Sequence, residues 1–181
     1  MRADTVDENL LAKMRKAGCR RIRFAPESGS QRVIDEVMKK NLDLGKVEQA
    51  VVMSRKVGLK VGCFFVLGLI GETKEDIEET IKFAYKLRAL GADKFYFSIA
   101  MPLYGTELYE QAKNGGYLKL GFNDDALAAT VPLIETPEFT AADLIELSGR
   151  ANMVNPTFTG DKIKGAIRHP KKAVRFLLKI K

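Results

Sequence analysis

The chain has 181 residues, of which 46% are hydrophobic and 29% are charged, and its formal net charge is +7. This composition is typical of one folded globular unit and excludes a disordered or fibrous protein. Because no run of about 18 apolar residues occurs and the N-terminus is too polar for a signal peptide, we expect a cytoplasmic protein without a membrane span.

The excess positive charge is concentrated in a C-terminal tail, residues 162–181. Apolar residues interleave with Lys and Arg there at the spacing of an amphipathic helix. We expect this helix to pack on the body of the protein, with a contact to nucleic acid, an anionic surface or a partner as the alternative.

Two cysteines, Cys19 and Cys63, are present in the sequence. They are too few for a disulfide framework, and their spacing is not that of a metal site. We predict that both are buried thiols of a reducing compartment, and no residue is identified as a metal ligand.

Three segments have the pattern of β-strands. The first alternates between apolar and charged residues, and the second is an almost continuous apolar run, as in a parallel strand covered on both faces. The predicted strands are 20–25, 59–69 and 93–100.

Amphipathic helices precede and separate these strands, and most of them end at a glycine. They are predicted at 6–17, at 30–40 with Ser28 or Ser30 at its start, at 44–57, at 73–90 and at 106–114. Strands that alternate with helices in this way predict parallel crossovers and an α/β layered or barrel fold.

The alternation stops after Gly116. A proline-containing connection follows, and then a helix at 141–155. Thr140 is its predicted N-cap, with Asp143 at the reciprocal position of a capping box.

Polar and flexible residues follow all three strands, at the edge where parallel α/β folds bind ligands. Glu27 and Ser28 can bond to a diol, and Gly68 lets a flat ring approach the backbone. Phe64 or Val66 can provide an apolar floor.

Each loop also has a simpler interpretation as a helix cap, with Glu72 and Thr73 in the second loop and Gly105 and Thr106 in the third. The occurrence of three such loops along one edge favours a ligand site.

The order of these motifs resembles the second half of the radical S-adenosylmethionine (radical SAM) partial barrel. The stretches that carry the resemblance are FAPESGSQRVIDEVMKK, FFVLGLIGET and FYFSIAMPLYGTELY, and it covers residues 1–118. It implies three parallel β/α units, which form half of a (β/α)6 partial TIM barrel. Residues 119–181 are similar to the helical extension of radical SAM enzymes that often carry a cobalamin-binding domain.

The resemblance also implies roles for individual residues. Glu27 and Ser28 would contact the ribose or methionyl part of SAM. Val66 and Gly68 would lie beside the adenine, and Glu72 would organise the turn.

In the third loop, the resemblance implies that the backbone from Met101 to Leu103 meets the adenine edge. At Ile70 the chain departs from the family, which commonly has proline there. No catalytic residue is identified.

The CxxxCxxC loop that holds the [4Fe–4S] cluster in this family is absent from the sequence. We therefore expect that the chain lacks the first three strands, binds no cluster and is inactive alone. In the intact enzyme, SAM would be cleaved to a 5′-deoxyadenosyl radical, or a methyl group would pass through cobalamin, with an unknown substrate.

Two partners are expected: the missing N-terminal half of the barrel, and a second copy that pairs through the exposed edge strand at 20–25. One alternative is a non-enzymatic binding or assembly module that uses the basic tail. Another is a complete small α/β enzyme with Glu27 and Glu72 as acid and base; His169 is the only histidine and is expected at the surface.

Overall fold

The computed structural model describes residues 1–129 and 131–155, so the predicted tail helix and His169 lie outside the described residues. Three parallel strands form one open sheet in the order β1-β2-β3. They are β1 (Arg21–Glu27), β2 (Lys60–Leu67) and β3 (Lys94–Ile99). The predicted α/β class with three parallel units is confirmed, and the open sheet is consistent with a partial barrel.

Helices connect and follow the strands. They are α1 (Glu8–Lys16), α2 (Leu44–Lys56), α3 (Lys74–Ala89), α4 (Glu107–Asn114), α5 (Asp124–Ala128) and α6 (Ala141–Asn152). Thr73 and Thr140 cap α3 and α6, each in a reciprocal pair with an aspartate three residues later, which confirms the capping box predicted at Thr140. Among the described residues, no helix is both long and apolar enough to cross a membrane.

The segment after β1 differs from the predicted helix at 30–40. It contains a short π-helical turn, Val33–Val37, and no serine caps it. The Ser28 hydroxyl instead bonds to Thr80 at 3.0 Å, and the Ser30 hydroxyl donates to Asp76 at 2.7 Å. Both hydroxyls are therefore used against α3, which is why neither starts a regular helix.

One face of the sheet packs against α2, α3 and α6. Phe24, Phe65 and Phe95, one from each strand, are at most 1% exposed on this side. Burial of each ring contributes about 1.5–3 kcal/mol relative to an exposed ring.

Alternation along the strands places a second set of side chains on the opposite side of the sheet. We call this side the open face, because its charged side chains are exposed. Its residues are Arg21, Arg23, Lys60, Gly62, Phe64, Val66, Lys94, Tyr96 and Ser98.

Strand β1 pairs only with β2, so its outer edge has no strand partner in the described part of the chain. Two groups nevertheless occupy this edge: the amino group of Met1 donates to the Arg23 carbonyl at 3.1 Å, and Lys40 Nζ donates to the Ala25 carbonyl at 2.6 Å. Proline within an edge strand also opposes pairing, and Pro26 lies in β1. Dimerisation through this edge stays a prediction.

The two cysteines are free thiols. Cys63 lies inside β2 as predicted, and burial raises the pKa of its thiol to about 12. Cys19 is only half-buried, so the prediction that both thiols are buried is wrong for this residue. It lies in the short turn before β1, where solvent reaches one side.

Candidate functional site

The second loop, between β2 and α3, is closed by a buried carboxylate. Glu72 is fully buried, and its Oε2 accepts hydrogen bonds from the backbone N–H groups of Gly68 at 2.6 Å and Leu69 at 3.1 Å. Thr73, not Glu72, caps α3. Glu72 thus organises this turn, as the resemblance implies.

Gly68 has a φ of +84°, in the left-handed region that glycine adopts without strain. A Cβ atom at this position would also come within 2.7 Å of Leu144 Cδ1 in α6. Glycine is therefore required here both by the turn and by the close approach of α6.

The Glu72 carboxyl group is held in a poorly solvated environment. Burial outweighs the two backbone hydrogen bonds and raises the pKa of Glu72 to about 7. Its second oxygen, Oε1, has no hydrogen-bond partner among the described residues. The folded protein therefore binds a proton at Glu72 at a pH where the unfolded chain has lost it.

We expect Glu72→Gln to change how stability depends on pH. Since the folded-state pKa is raised, the wild-type protein loses stability as pH rises from about 4.5 to about 7, by on the order of 1–3 kcal/mol. Glutamine does not titrate, so the variant becomes more stable relative to the wild type as pH rises over that range. Urea unfolding at pH 5, 6, 7 and 8 measures the difference, with the exposed Glu75→Gln as control.

Identical pH profiles for Glu72→Gln and the wild type would show that Glu72 does not titrate in this range.

The first loop begins with a strained glutamate. Glu27 has a φ of +74° and follows an irregularity in the pairing of β1 with β2. Lys40 Nζ lies 3.0 Å from Glu27 Oε1, and the two side chains are 17% and 25% exposed. A non-glycine residue in this conformation is often found at a functional site. The partly exposed carboxylate can still accept a bond from a ligand hydroxyl.

Ser28 occupies a different environment from Glu27. It is fully buried, its hydroxyl bonds to Thr80 and it also accepts the N–H of Ser30 at 3.1 Å. The structure thus gives Ser28 a role in joining the first loop to α3. Its contact with SAM stays a prediction.

Asp76 connects the first two loops. Its carboxylate pairs with Arg32 and accepts bonds from Ser30 and from the N–H and hydroxyl of Thr73. Burial raises the pKa of Asp76, but these hydrogen bonds outweigh burial and lower it to about 2. Hydrogen bonds centred on Asp76 therefore join the loops that follow β1 and β2.

The third loop turns tightly after β3. The Leu103 N–H donates to the Met101 carbonyl at 2.9 Å, and Thr106 bonds back to the Leu103 carbonyl. The Met101 N–H has no acceptor in the part of the chain that the structure describes. The Leu103 side chain is exposed, and Val66 is half-buried on the open face of the neighbouring strand.

The structure therefore places the site residues at the carboxyl ends of adjacent strands but gives them different surroundings. The groups that sequence patterns did not reveal are Lys40, Arg32, Asp76 and Thr80. Each acts on a residue 13 or more positions away, which no local motif indicates, although Asp76 also completes the local capping box with Thr73.

The residues present do not fit an iron–sulfur cluster. Cys63 is buried with a raised pKa, and Cys19 lies before β1, at the opposite end of the strand from the loops. Within residues 1–129 and 131–155, no group of three or more His, Cys, Asp or Glu side chains is placed so that it could hold a metal ion. Glu72 and Glu27 also do not form an acid–base pair, because the first binds backbone amides and the second binds Lys40.

A cleft of about 200 Å³ lies beside the second loop, lined in part by Val37, Ile70 and Leu108. None of the predicted site residues lines it. Leu69, the residue after Gly68, does line it, so the cleft adjoins the second loop.

The sequence model of the radical SAM superfamily matches residues 2–84. An uncharacterised methyltransferase from Pyrococcus horikoshii is 31% identical over 183 residues, covering 99% of this chain and 39% of the relative. The cytidylyl-2-hydroxyethylphosphonate methyltransferase of Streptomyces wedmorensis is 33% identical over 116 residues, covering 62% of this chain and 22% of the relative.

A biotin synthase from Methanocaldococcus jannaschii is 37% identical over 73 residues, covering 39% of this chain and 19% of the relative. The chain thus spans about two fifths or less of the length of these relatives. The family match covers β1, β2 and most of α3, including the loops closed by Glu72 and Lys40. Together with the parallel α/β sheet, these matches show that the chain belongs to the radical SAM superfamily.

Proposed function

We propose that this chain forms the adenosine side of a SAM site in a radical SAM enzyme of the methyltransferase type. The observation that carries the proposal is the pair of organised loops at adjacent strand ends, one closed by Glu72 and the other by Lys40 and Glu27. Bound SAM supplies such an enzyme with a radical or with a methyl group for transfer.

Each part of the proposed site has a specific task. The Glu27 carboxylate accepts hydrogen bonds from the ribose diol, and Lys40 keeps that carboxylate in position. Leu144 of α6 packs against Gly68, so Glu72 holds the turn in place while the adenine lies beside the half-buried Val66 and Leu69. The Met101 N–H is a donor for the adenine edge.

The cluster does not fit this chain, so we propose that another segment of the intact enzyme, or a separate subunit, holds it. This is the missing half of the barrel, and this chain alone is expected not to cleave SAM. Support comes from the two cysteines, which lack the cluster spacing, and from relatives that are more than twice as long.

Methyl transfer is the reaction we propose, because two relatives are methyltransferases by name. The similarity of residues 119–181 to the extension of cobalamin-associated enzymes supports cobalamin as the methyl carrier, bound elsewhere in the intact enzyme. The methyl acceptor is not identified by any residue of this chain.

The adenosine half of the site can be tested without a cluster by using 5′-methylthioadenosine, which lacks the amino acid part of SAM. We expect this probe to shift the backbone amide NMR signals of Gly68, Leu69 and Met101. Because Glu27→Gln weakens an acceptor for the diol, it should reduce affinity about ten-fold, the loss of one charged hydrogen bond.

Glu138→Gln is the matched control, since Glu138 is exposed and lies outside the site. It should bind the probe like the wild type. An adenosine site at the strand ends would be contradicted if no NMR signal of the three loops shifted. It would also be contradicted if both variants lost the same affinity for the probe.

A further inference from the structure

Four cations lie together on the open face of the sheet. Arg21 is opposite Lys60 in the strand register, and Arg23 and Lys94 flank Gly62. All four cations are exposed, and none of them has a carboxylate within salt-bridge distance in the described ranges. Like charges on adjacent strands repel each other. Negatively charged groups from another polypeptide segment would therefore stabilise this cluster.

An aromatic stack holds two of these cations in place. The rings of Phe64 and Tyr96 are parallel within 13°, with centroids 4.4 Å apart. The guanidinium carbon of Arg23 and the amino group of Lys94 lie 5.7 and 5.9 Å from the Tyr96 centroid, within the range of cation–π attraction. The positive groups are therefore ordered against the sheet.

Gly62 makes room for this arrangement. A Cβ atom at this position would be 3.3 Å from Arg23 Cγ and 3.5 Å from a Tyr96 ring carbon. Both side chains thus lean over the glycine, and together they form one continuous surface across three strands.

Parallel sheets are normally covered on both faces. Here α2, α3 and α6 cover one face, and the open face leaves Phe64 and Tyr96 half-buried beside exposed cations. A covering layer must therefore offer apolar surface to the rings and negative charge to the cations.

Charge excludes two occupants from this chain itself. A second copy that packed face to face would bring the same four cations against this face. Residues 156–181 contain one acid, Asp161, among eight Lys and Arg residues. Neither supplies the required carboxylates.

We infer that the open face is an interface for an acidic polypeptide layer. That layer places Asp or Glu side chains opposite Arg21, Arg23, Lys60 and Lys94, and apolar side chains on the aromatic stack. The inference is independent of the proposed SAM site, because the four cations lie near the starts of the strands, whereas the SAM site lies at their carboxyl ends, which Val66 of the open face also reaches.

Carbodiimide crosslinking tests this directly, because it joins lysine amines only to carboxylates in contact with them. In protein purified from its native source, we expect Lys60 and Lys94 to crosslink to Asp or Glu of the covering segment. Both should also be acetylated at least five-fold more slowly than Lys82, an exposed lysine of α3 that forms no ion pair with the described residues.

A charge reversal gives a second readout. The double variant Arg23→Glu and Lys94→Glu should copurify with at least ten-fold less of the covering segment that crosslinking identifies. Lys82→Glu should copurify with as much as the wild type. This double variant should still bind 5′-methylthioadenosine, so failure of the interface and failure of the SAM site are distinguishable.

Four outcomes would overturn the inference. Acetylation of Lys60 and Lys94 at the rate of Lys82, without crosslinks, would show an uncovered face. Crosslinks between two copies, or to Asp161, would identify a different occupant. Slow acetylation that disappears when inorganic phosphate is removed would identify a small-anion site.

Discussion

Asp76→Ala is expected to lower the free energy of unfolding by about 3 kcal/mol. The substitution removes the acceptor for Ser30 and for both donors of Thr73, and buried donors without an acceptor cost about 1–3 kcal/mol each. The ion pair with Arg32 adds little to this value, because Arg32 is 41% exposed and solvent screens the charge. Urea denaturation at neutral pH measures the loss.

Glu75→Ala is the matched control, since Glu75 is an exposed acid in the same helical turn. Its effect should stay within about 0.5 kcal/mol. Because the pKa of Asp76 is lowered, its stabilisation is present above about pH 4 and is lost as pH falls toward 2. An Asp76→Ala protein that is as stable as Glu75→Ala would refute the role of Asp76 as the centre of the network.

Gly29→Ala is expected to destabilise the fold by about 2–3 kcal/mol, because it forces the loop after β1 away from α3. A Cβ atom at residue 29 would lie 2.5 Å from Phe83 Cβ and 2.7 Å from Thr80 Cα, and neither atom belongs to a flexible side-chain end. The shift would also break the bond from the Gly29 N–H to the Thr80 hydroxyl, which measures 2.9 Å. Thermal or urea unfolding of the variant tests this value.

Gly149→Ala is a control that should increase stability, whereas Gly29→Ala should decrease it. Gly149 is exposed within α6, and a Cβ atom there would meet no other atom within 4 Å, so alanine should stabilise the helix by about 0.5–1 kcal/mol. Equal effects of the two substitutions would mean that the contact between residue 29 and α3 is not tight.

Much of the candidate site could be predicted from the sequence. The turn at Gly68 and Glu72, and the caps at Thr73 and Thr140, depend on residues within four positions of each other, so the local pattern contains the whole interaction. The position of Glu27 at a strand end was also predictable from the strand pattern.

Other parts of the site could not be predicted, because their partners are distant in the chain. Ser28 and Ser30 were predicted to start a helix, yet they bond to residues 52 and 46 positions away. The contact between Lys40 and Glu27 spans 13 residues, which include a π-helical turn that no periodicity indicated.

By itself, the sequence determined the order of strands and helices, most of their ends and the family resemblance, because periodicity, caps and turn glycines act over a few residues. Only the tertiary structure decided which polar groups hold the loops together, since these hydroxyl and carboxyl groups meet only when α3 packs against β2 and the loop after β1. It also decided that four cations share one uncovered face, because that face exists only once three distant strands pair side by side.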